Sequence, residues 1–278
     1  MPPDLSTVPA DLEGLCRESE PLRKGSHRLT FVNGWIRYVE STYERFFIDL
    51  RGDFETYLGH FSGKTRSTLR RKVRKFARLS GGDLDWREYK TPQEMDEFHT
   101  LASKISNISY QERLFGAGIP SDQNFSAIMR NLAAQDRVRA YILFHENRPI
   151  SYLYCQEVDR RLVYRYVGFV PGYAKYSPGT VLQFLALQRL FSDGMHELFD
   201  FTEGEGDHKR LFATHSVRCA NVFYLRRTPR TLALVLTHWC VTQISNALAT
   251  VLDWIGVKRG FRQILYGQRT IIRGRDSP

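Results

Sequence analysis

Apolar positions recur along the chain in two rhythms, and each change of rhythm marks an element. Residues 28–40 (RLTFVNGWIRYVE) and 45–50 (RFFIDL) are rich in β-branched and aromatic residues and predict strands. Asn33-Gly34 can divide the first of these into a hairpin. Residues 53–61 predict a short helix with Asp53 as its N-cap. In 64–78 (KTRSTLRRKVRKFAR), Leu69, Val73 and Phe76 stand at helical spacing, so one narrow stripe packs inward and the other faces stay charged. Ser80-Gly81-Gly82 stops that helix. Residues 84–89 alternate as a strand, and Thr91-Pro92-Gln93-Glu94 reads as a capping box opening a helix that carries Met95, Phe98, Leu101, Ala102 and Ile105.

After a loop holding Gly116, Gly118 and Pro120, Ser121 or Asp122 caps a second helix with Phe125, Ile128, Met129 and Leu132 on one face. Three strands follow closely, at 138–145, 149–158 and 161–169, and their short turns predict an antiparallel meander. A third helix runs from Ser177-Pro178-Gly179-Thr180 to about Ser192 and is closed by Gly194. A strand at 196–201, a Gly-rich acidic loop, a helical turn at 208–213 and a strand at 219–226 complete the series. The expected fold is α+β: a mixed, mostly antiparallel central sheet flanked by helices, with an N-terminal extension and a C-terminal helix. The expected organisation is a mobile lead-in (1–25), an extension or reduced subdomain with the basic helix (26–80), a catalytic domain (81–228), and an amphipathic helix with a basic tail (229–278).

Charge sharpens this picture. The net charge is +10, and it is concentrated. Residues 64–78 carry eight Lys/Arg and no acid, and residues 226–278 carry nine against two acids. Such segments attract phosphate groups or anionic surfaces, although a solvated helix face and a basic tail account for them equally well. From Thr231 to Leu252 there is no formally charged residue apart from any charge on His238. The stretch is long enough to span a bilayer, but Thr237, His238, Thr242, Gln243, Ser245 and Asn246 make that costly. An amphipathic helix is expected, docked on the body or a partner or lying at a membrane surface. The four cysteines are widely spaced, which excludes a disulfide scaffold and a Cys-rich zinc module. The N-terminus lacks the pattern of a leader, so the cytoplasm is expected, with contact at the inner face of the membrane as an extension of that reading.

The sequence holds no P-loop, no His-Glu-x-x-His and no Gly-x-Ser-x-Gly, and no metal is expected. Two junctions carry chemistry. At the first, the 161–169 strand, with Val167 and Gly168 near its end, leads through Pro171–Tyr176 into Ser177-Pro178-Gly179-Thr180. The N–H groups of Gly179 and Thr180 have no partner inside the helix, and a phosphate suits that place; a merely well-capped helix is the plainer account. At the second, residues 200–210 (DFTEGEGDHKR) gather acids and a His-Lys pair after a strand end. A carboxylate there can take a proton from an acceptor, or the loop can be a polar turn. Asp200, between Phe199 and Phe201, equally suits a buried structural carboxylate.

Together these junctions resemble the GNAT acyltransferase superfamily. Tyr176-Ser177-Pro178-Gly179-Thr180, Asp200-Phe201 and Gly206-Asp207-x-Lys209-x-x-Phe212 look like the CelD-type branch, which is distantly similar to the FemABX transferases. The resemblance covers about residues 60–226. It implies an acyl-coenzyme A donor held in a cleft where strands 162–169 and 196–201 splay apart. Val167, Gly168 and Ser177–Thr180 would hold the donor, and Glu203 or Asp207 would serve as base. Tyr173 or Tyr176 would protonate the departing thiolate, and Lys209, Asp200, Arg70 and Arg74 would contact substrate. The acceptor implied is a sugar, a polysaccharide precursor or a related metabolite. The common Gln/Arg-x-x-Gly-x-Gly/Ala loop of GNAT enzymes is replaced by Tyr-Ser-Pro-Gly. That leaves open a FemABX-like transfer from charged tRNA, and a non-catalytic nucleic-acid- or membrane-binding scaffold.

Overall fold

The computed structural model describes residues 4–9, 11–23, 25–109, 118–204 and 206–254. Gly116, Glu205 and the basic tail from 255 onward, including Lys258, Arg259 and Arg262, lie outside the described residues. In chain order the elements are β1 (Gly14–Pro21), β2 (Leu29–Val32), β3 (Trp35–Asp49), α1 (Phe54–Gly59), α2 (Gly63–Leu79), β4 (Trp86–Tyr89), α3 (Pro92–Ile108), α4 (Gln123–Ala134), β5 (Val138–His145), β6 (Arg148–Val158), β7 (Arg161–Phe169), a 3-10 turn (Pro171–Tyr176), α5 (Pro178–Asp193), β8 (Leu198–Asp200), α6 (Asp207–Phe212), β9 (His215–Arg226) and α7 (Pro229–Trp254). The chain divides into two compact units, Arg45–Ser216 and Met1–Glu44 with Val217–Pro278. These divisions fall inside β3 and β9 and do not coincide with the expected boundaries at 25/26, 80/81 and 228/229.

In the larger unit the strands lie in the order β3-β8-β7-β6-β5-β4. All neighbours are antiparallel except β7 and β8. Alternation along β5 sends Tyr141 and Leu143 to one face and Ala140, Ile142 and Phe144 to the other. The first face meets Leu69 and Phe76 of α2 and Val181, Leu182 and Leu185 of α5; the second meets Met95, Phe98 and Ala102 of α3 and Met129 of α4. Leu69 and Phe76 are fully buried, and together they anchor the basic helix with roughly 3–6 kcal/mol of transfer free energy. The helix starts follow the side chains. Asp53 accepts the N–H of Thr56, Asp122 that of Phe125, and Thr91 with Glu94 forms a complete capping box. Ser62, which the sequence reading passed over, caps α2.

In the smaller unit β1 runs antiparallel to β9, from Gly14 opposite Leu225 to Pro21 opposite Cys219. The expected lead-in through residue 25 therefore contains a strand. Its period is hidden by an irregularity between Arg17 and Glu20, where Ser19 takes a left-handed φ of 55°. Asn33 and Gly34, at φ 46° and 82°, turn the β2–β3 hairpin. Beyond that turn, the two expected strands of 28–50 join as the single strand β3. Val235 and Leu232 of α7 pack on Ile36, Tyr38, Phe223 and Leu225. Among the described residues no helix is long and apolar enough to cross a membrane.

Candidate active site

The site begins where two strands part. β7 and β8 pair in parallel over only three residues, ending with Val163 opposite Asp200. β8 stops there, while β7 runs on to Phe169 along an edge that β8 no longer covers. Those six further residues span roughly 20 Å. On the other side of β7, Tyr154 faces Tyr166 and Cys155 faces Tyr164, so Arg165 is the extra residue of a bulge. Near the far end, Gly168 is required by packing: a Cβ there would lie 2.5 Å from the buried Tyr152 ring. The Gly168 carbonyl accepts the Ser151 hydroxyl at 2.9 Å.

At that far end the 3-10 turn delivers the chain to α5. Ser177 is the N-cap residue and Pro178 the first helical residue, as the sequence implies. The cap itself differs, because Ser177 sits in the left-handed region (φ 55°, ψ 50°) and its side chain makes no capping hydrogen bond. Gly179 has ordinary room: an added Cβ would meet Phe169 Cδ1 at 3.9 Å and Ser151 Oγ at 4.0 Å. Cations gather around this helix start. Lys72 Nζ donates to Thr180 Oγ1 at 3.4 Å, Lys75 Nζ donates to the Lys175 carbonyl at 2.9 Å, and both Lys75 and Lys175 lie 5.1 Å from the Tyr176 ring centre. Burial, followed by the charge of Arg71, lowers the pKa of Lys72. Tyr173 Oη is 3.0 Å from Nδ1 of His145, and His145 Nε2 is 3.3 Å from the Leu79 carbonyl. A carbonyl only accepts, so in neutral His145 the Nε2 carries the proton and Nδ1 receives that of Tyr173.

At the near end lies a charged cluster. Asp200 is fully buried; Arg45 Nε donates to its Oδ1 at 3.0 Å and Arg45 Nη2 to its Oδ2. The Thr202 N–H also donates to Oδ1, at 2.9 Å. Lys209, buried on α6, donates through Nζ to the Glu203 carbonyl at 2.7 Å. Its burial lowers the Lys209 pKa to about 8, against the upward pull of Asp200 and Glu203. The Glu203 and Asp207 side chains are exposed, and the His208 ring lies 6.0 Å from that of Tyr164, the first β7 residue past the β8 pairing.

The fold thus brings Asp200, Glu203 and Lys209 together and adds Arg45, which the sequence reading missed. It places Tyr173 and Tyr176 at the other end of the free β7 edge, beside Ser177–Thr180 with Lys72, Lys75 and His145. Arg70 and Arg74 line a third place, an open cavity of about 570 Å³ between α2 and Phe184 of α5, with Arg66 beside them. Arg70 also bridges to Glu55 at 2.8 Å. Among the described residues no group of three or more His, Cys, Asp or Glu side chains is placed to hold a metal ion.

No curated protein matches the sequence. The fold is similar to the C-terminal domain (DUF2156) of a putative lysylphosphatidylglycerol synthetase from Agrobacterium fabrum, with a TM-score of 0.52, 13% identity, and coverage of 75% of this chain and 66% of that one. Similarity extends to FemX, with a TM-score of 0.49, 10% identity, and coverage of 69% and 63%. It extends also to the L-PGS of Bacillus licheniformis, with a TM-score of 0.46, 13% identity, and coverage of 73% and 66%. The chain spans just under two thirds of the length of these structures. Residues 63–210, from the basic helix through Lys209, match the family described as acetyltransferase (GNAT) domain, and since that is more than half of the sequence, the chain belongs to this family of acyltransferases.

Proposed function

We propose that the protein moves an acyl group from acyl-coenzyme A to an amine or hydroxyl of a sugar, polysaccharide precursor or related metabolite, as a member of the CelD-like branch. The observation that carries this reading is the parting of β7 from β8 after Val163 and Asp200. An extended donor arm laid along the free β7 edge, past Val167 and Gly168, joins the helix start at Ser177–Thr180 to the cluster around Lys209. The pyrophosphate rests on the N–H groups of Gly179 and Thr180 with Lys72 beside it. Tyr173 and Tyr176 then border the phosphate end, and the proton chemistry falls to the other end.

There the acceptor nitrogen or oxygen attacks the thioester carbonyl carbon, and Glu203 or Asp207 takes its proton. The carbonyl oxygen becomes an oxyanion, which hydrogen-bond donors beside it stabilise. The carbonyl reforms as the C–S bond breaks, and the thiolate takes a proton from the Lys209 ammonium. A pKa of about 8 suits that step, since a free thiol titrates near 8.5. Asp200 holds Arg45 in place, and Arg70 and Arg74 receive an anionic part of the substrate.

A second reading is aminoacyl transfer from charged tRNA. The fold likeness to the lysylphosphatidylglycerol synthetase domain and the row of Arg66, Arg70 and Arg74 favour it. A thermal-shift titration separates the two, because a ligand that binds only the folded chain raises Tm with concentration. Acetyl-coenzyme A is expected to raise the Tm of the parent chain and to leave Gly179→Asp unmoved. No rise with acetyl-coenzyme A, together with stabilisation by charged tRNA, would overturn the first reading in favour of the second.

A further inference from the structure

We propose that α7 and the tip of the β2–β3 hairpin form one surface that docks, without crossing, on the headgroup–acyl boundary of an anionic bilayer. Among the described side chains, α7 meets its own unit through Thr231, Leu232, Val235 and His238, whose Nδ1 lies 2.8 Å from Tyr38 Oη. Large apolar side chains stand bare elsewhere on the helix, with Thr237 and Gln243 among them: Leu234 is 63% exposed, Val241 58%, Ile244 60% and Leu248 57%, and Leu236 and Trp239 are exposed beside them. At 100° per residue, these six side chains cover an arc of about 220°. Between Arg230 and Asp253 no Lys, Arg, Asp or Glu interrupts it.

The hairpin tip extends this surface. Phe31 is 53% exposed, and Val32 is exposed next to it. The Arg227 N–H donates to the Gly34 carbonyl at 3.0 Å, and its guanidinium lies 5.0 Å from the Phe31 ring centre, so the tip sits beside the start of α7. Apolar surface on this scale marks a contact with another phase or another molecule.

Two observations select an anionic bilayer. The first is width. A partner helix needs a stripe confined to two heptad positions, whereas these exposed apolar side chains spread over about 220° and match no such stripe. The second is charge. Arg226, Arg227 and Arg230 precede the uncharged stretch, with Arg230 also bridging to Glu13 at 3.1 Å, and Lys258, Arg259 and Arg262, outside the described residues, follow it in the sequence. Basic residues close in sequence to an apolar helix are what negative lipid attracts, each one near the surface contributing on the order of 1 kcal/mol. Thr237 and Gln243, both exposed, hold the helix at the boundary instead of within the hydrocarbon.

Flotation of the full-length chain with vesicles provides the test. Binding is expected to vesicles of phosphatidylcholine with 30% phosphatidylglycerol, and to weaken at least tenfold on pure phosphatidylcholine or in high salt. Leu234→Glu with Val241→Glu and Ile244→Glu should lower binding at least tenfold with little change in Tm, since all three positions are exposed. Quenching by brominated lipid in the parent chain, lost in Trp239→Phe, reads the same contact without depending on the triple variant. Failure of the parent chain to float, or flotation undiminished in a folded triple variant, would overturn the proposal. So would a dimer in sedimentation that the triple variant dissolves while vesicles are ignored, since the surface would then belong to a second copy.

Discussion

The guanidinium of Arg45 lies fork to fork on the carboxylate of Asp200, joining β3 to the end of β8 at the point where β7 separates. Asp200 is within the core and takes its direct counter-charge from Arg45, with the Lys209 ammonium adding to it. Removing one partner of a buried pair costs about 3–5 kcal/mol, whereas replacing both by apolar groups is often close to neutral. Asp200→Ala is expected to lower unfolding free energy by about 3 kcal/mol, and Arg45→Leu with Asp200→Leu to recover most of it. Urea denaturation of the single and double variants checks this. Additive losses would show that the pair is not coupled.

Lys209 sets a pH dependence with a definite sign. Its folded pKa is about 8, below the ordinary lysine value of 10.5. Below pH 8 both folded and unfolded chains carry the proton, and the folded chain bears the full cost of burying it. Between pH 8 and 10.5 the unfolded chain binds more protons, so stability rises with pH across that window. Lys209→Met is therefore expected to stabilise the protein at pH 7 by on the order of 1–2 kcal/mol, an advantage that fades towards pH 10. The same change should lower kcat/KM by about 100-fold if the ammonium protonates the thiolate. In the parent enzyme kcat should fall as pH rises through about 8. A flat profile from pH 7 to 9.5 would remove Lys209 from the proton-transfer role.

Gly168 and Gly179 should fail in different ways. A methyl at Gly168 drives into the Tyr152 ring, so Gly168→Ala is expected to cost about 1–3 kcal/mol of stability. At Gly179 a methyl makes only ordinary contacts, so Gly179→Ala should keep the parent Tm and weaken acetyl-coenzyme A at least fivefold. Paired Tm and calorimetric binding measurements distinguish the two. Equal donor affinity in Gly179→Ala and the parent would move the phosphate away from the α5 start.

Much of the fold was legible because local chemistry states it. Thr91 and Glu94 announce α3, Asp122 announces α4, and the short turns at Asn147 and Asp159 leave the meander little choice. What was hidden depends on distant partners. β1 alternates poorly around Ser19 and gains its identity from β9. The middle of β3, Glu40-Ser-Thr-Tyr-Glu44, has the composition of a loop. The separation of β7 and β8 depends on where two sequence-distant strands stop pairing; the family resemblance implied it, and no local pattern records it. Arg45 did leave a trace. It adjoins the apolar run Phe46-Phe47-Ile48, and Asp200 is enclosed by Phe199 and Phe201. Opposite charges set against apolar strands signal a buried pair. Ser177 shows the reverse case: its residue type and position were right for a cap, but the preceding 3-10 turn delivers it with a left-handed backbone, and its hydroxyl makes no capping hydrogen bond.

The lysines of α2 are already fastened at the start of α5, Lys72 to the Thr180 hydroxyl and Lys75 to the Lys175 carbonyl. If the proposed phosphate binds there, the free chain already holds cations beside it, using its own oxygens as stand-ins. Part of the side-chain freedom of these two long residues is thereby restricted before any ligand binds. On the proposed function, a phosphate there would exchange one acceptor for a stronger one. Such preorganisation favours recognition by replacement of partners over recognition by rearrangement of the chain.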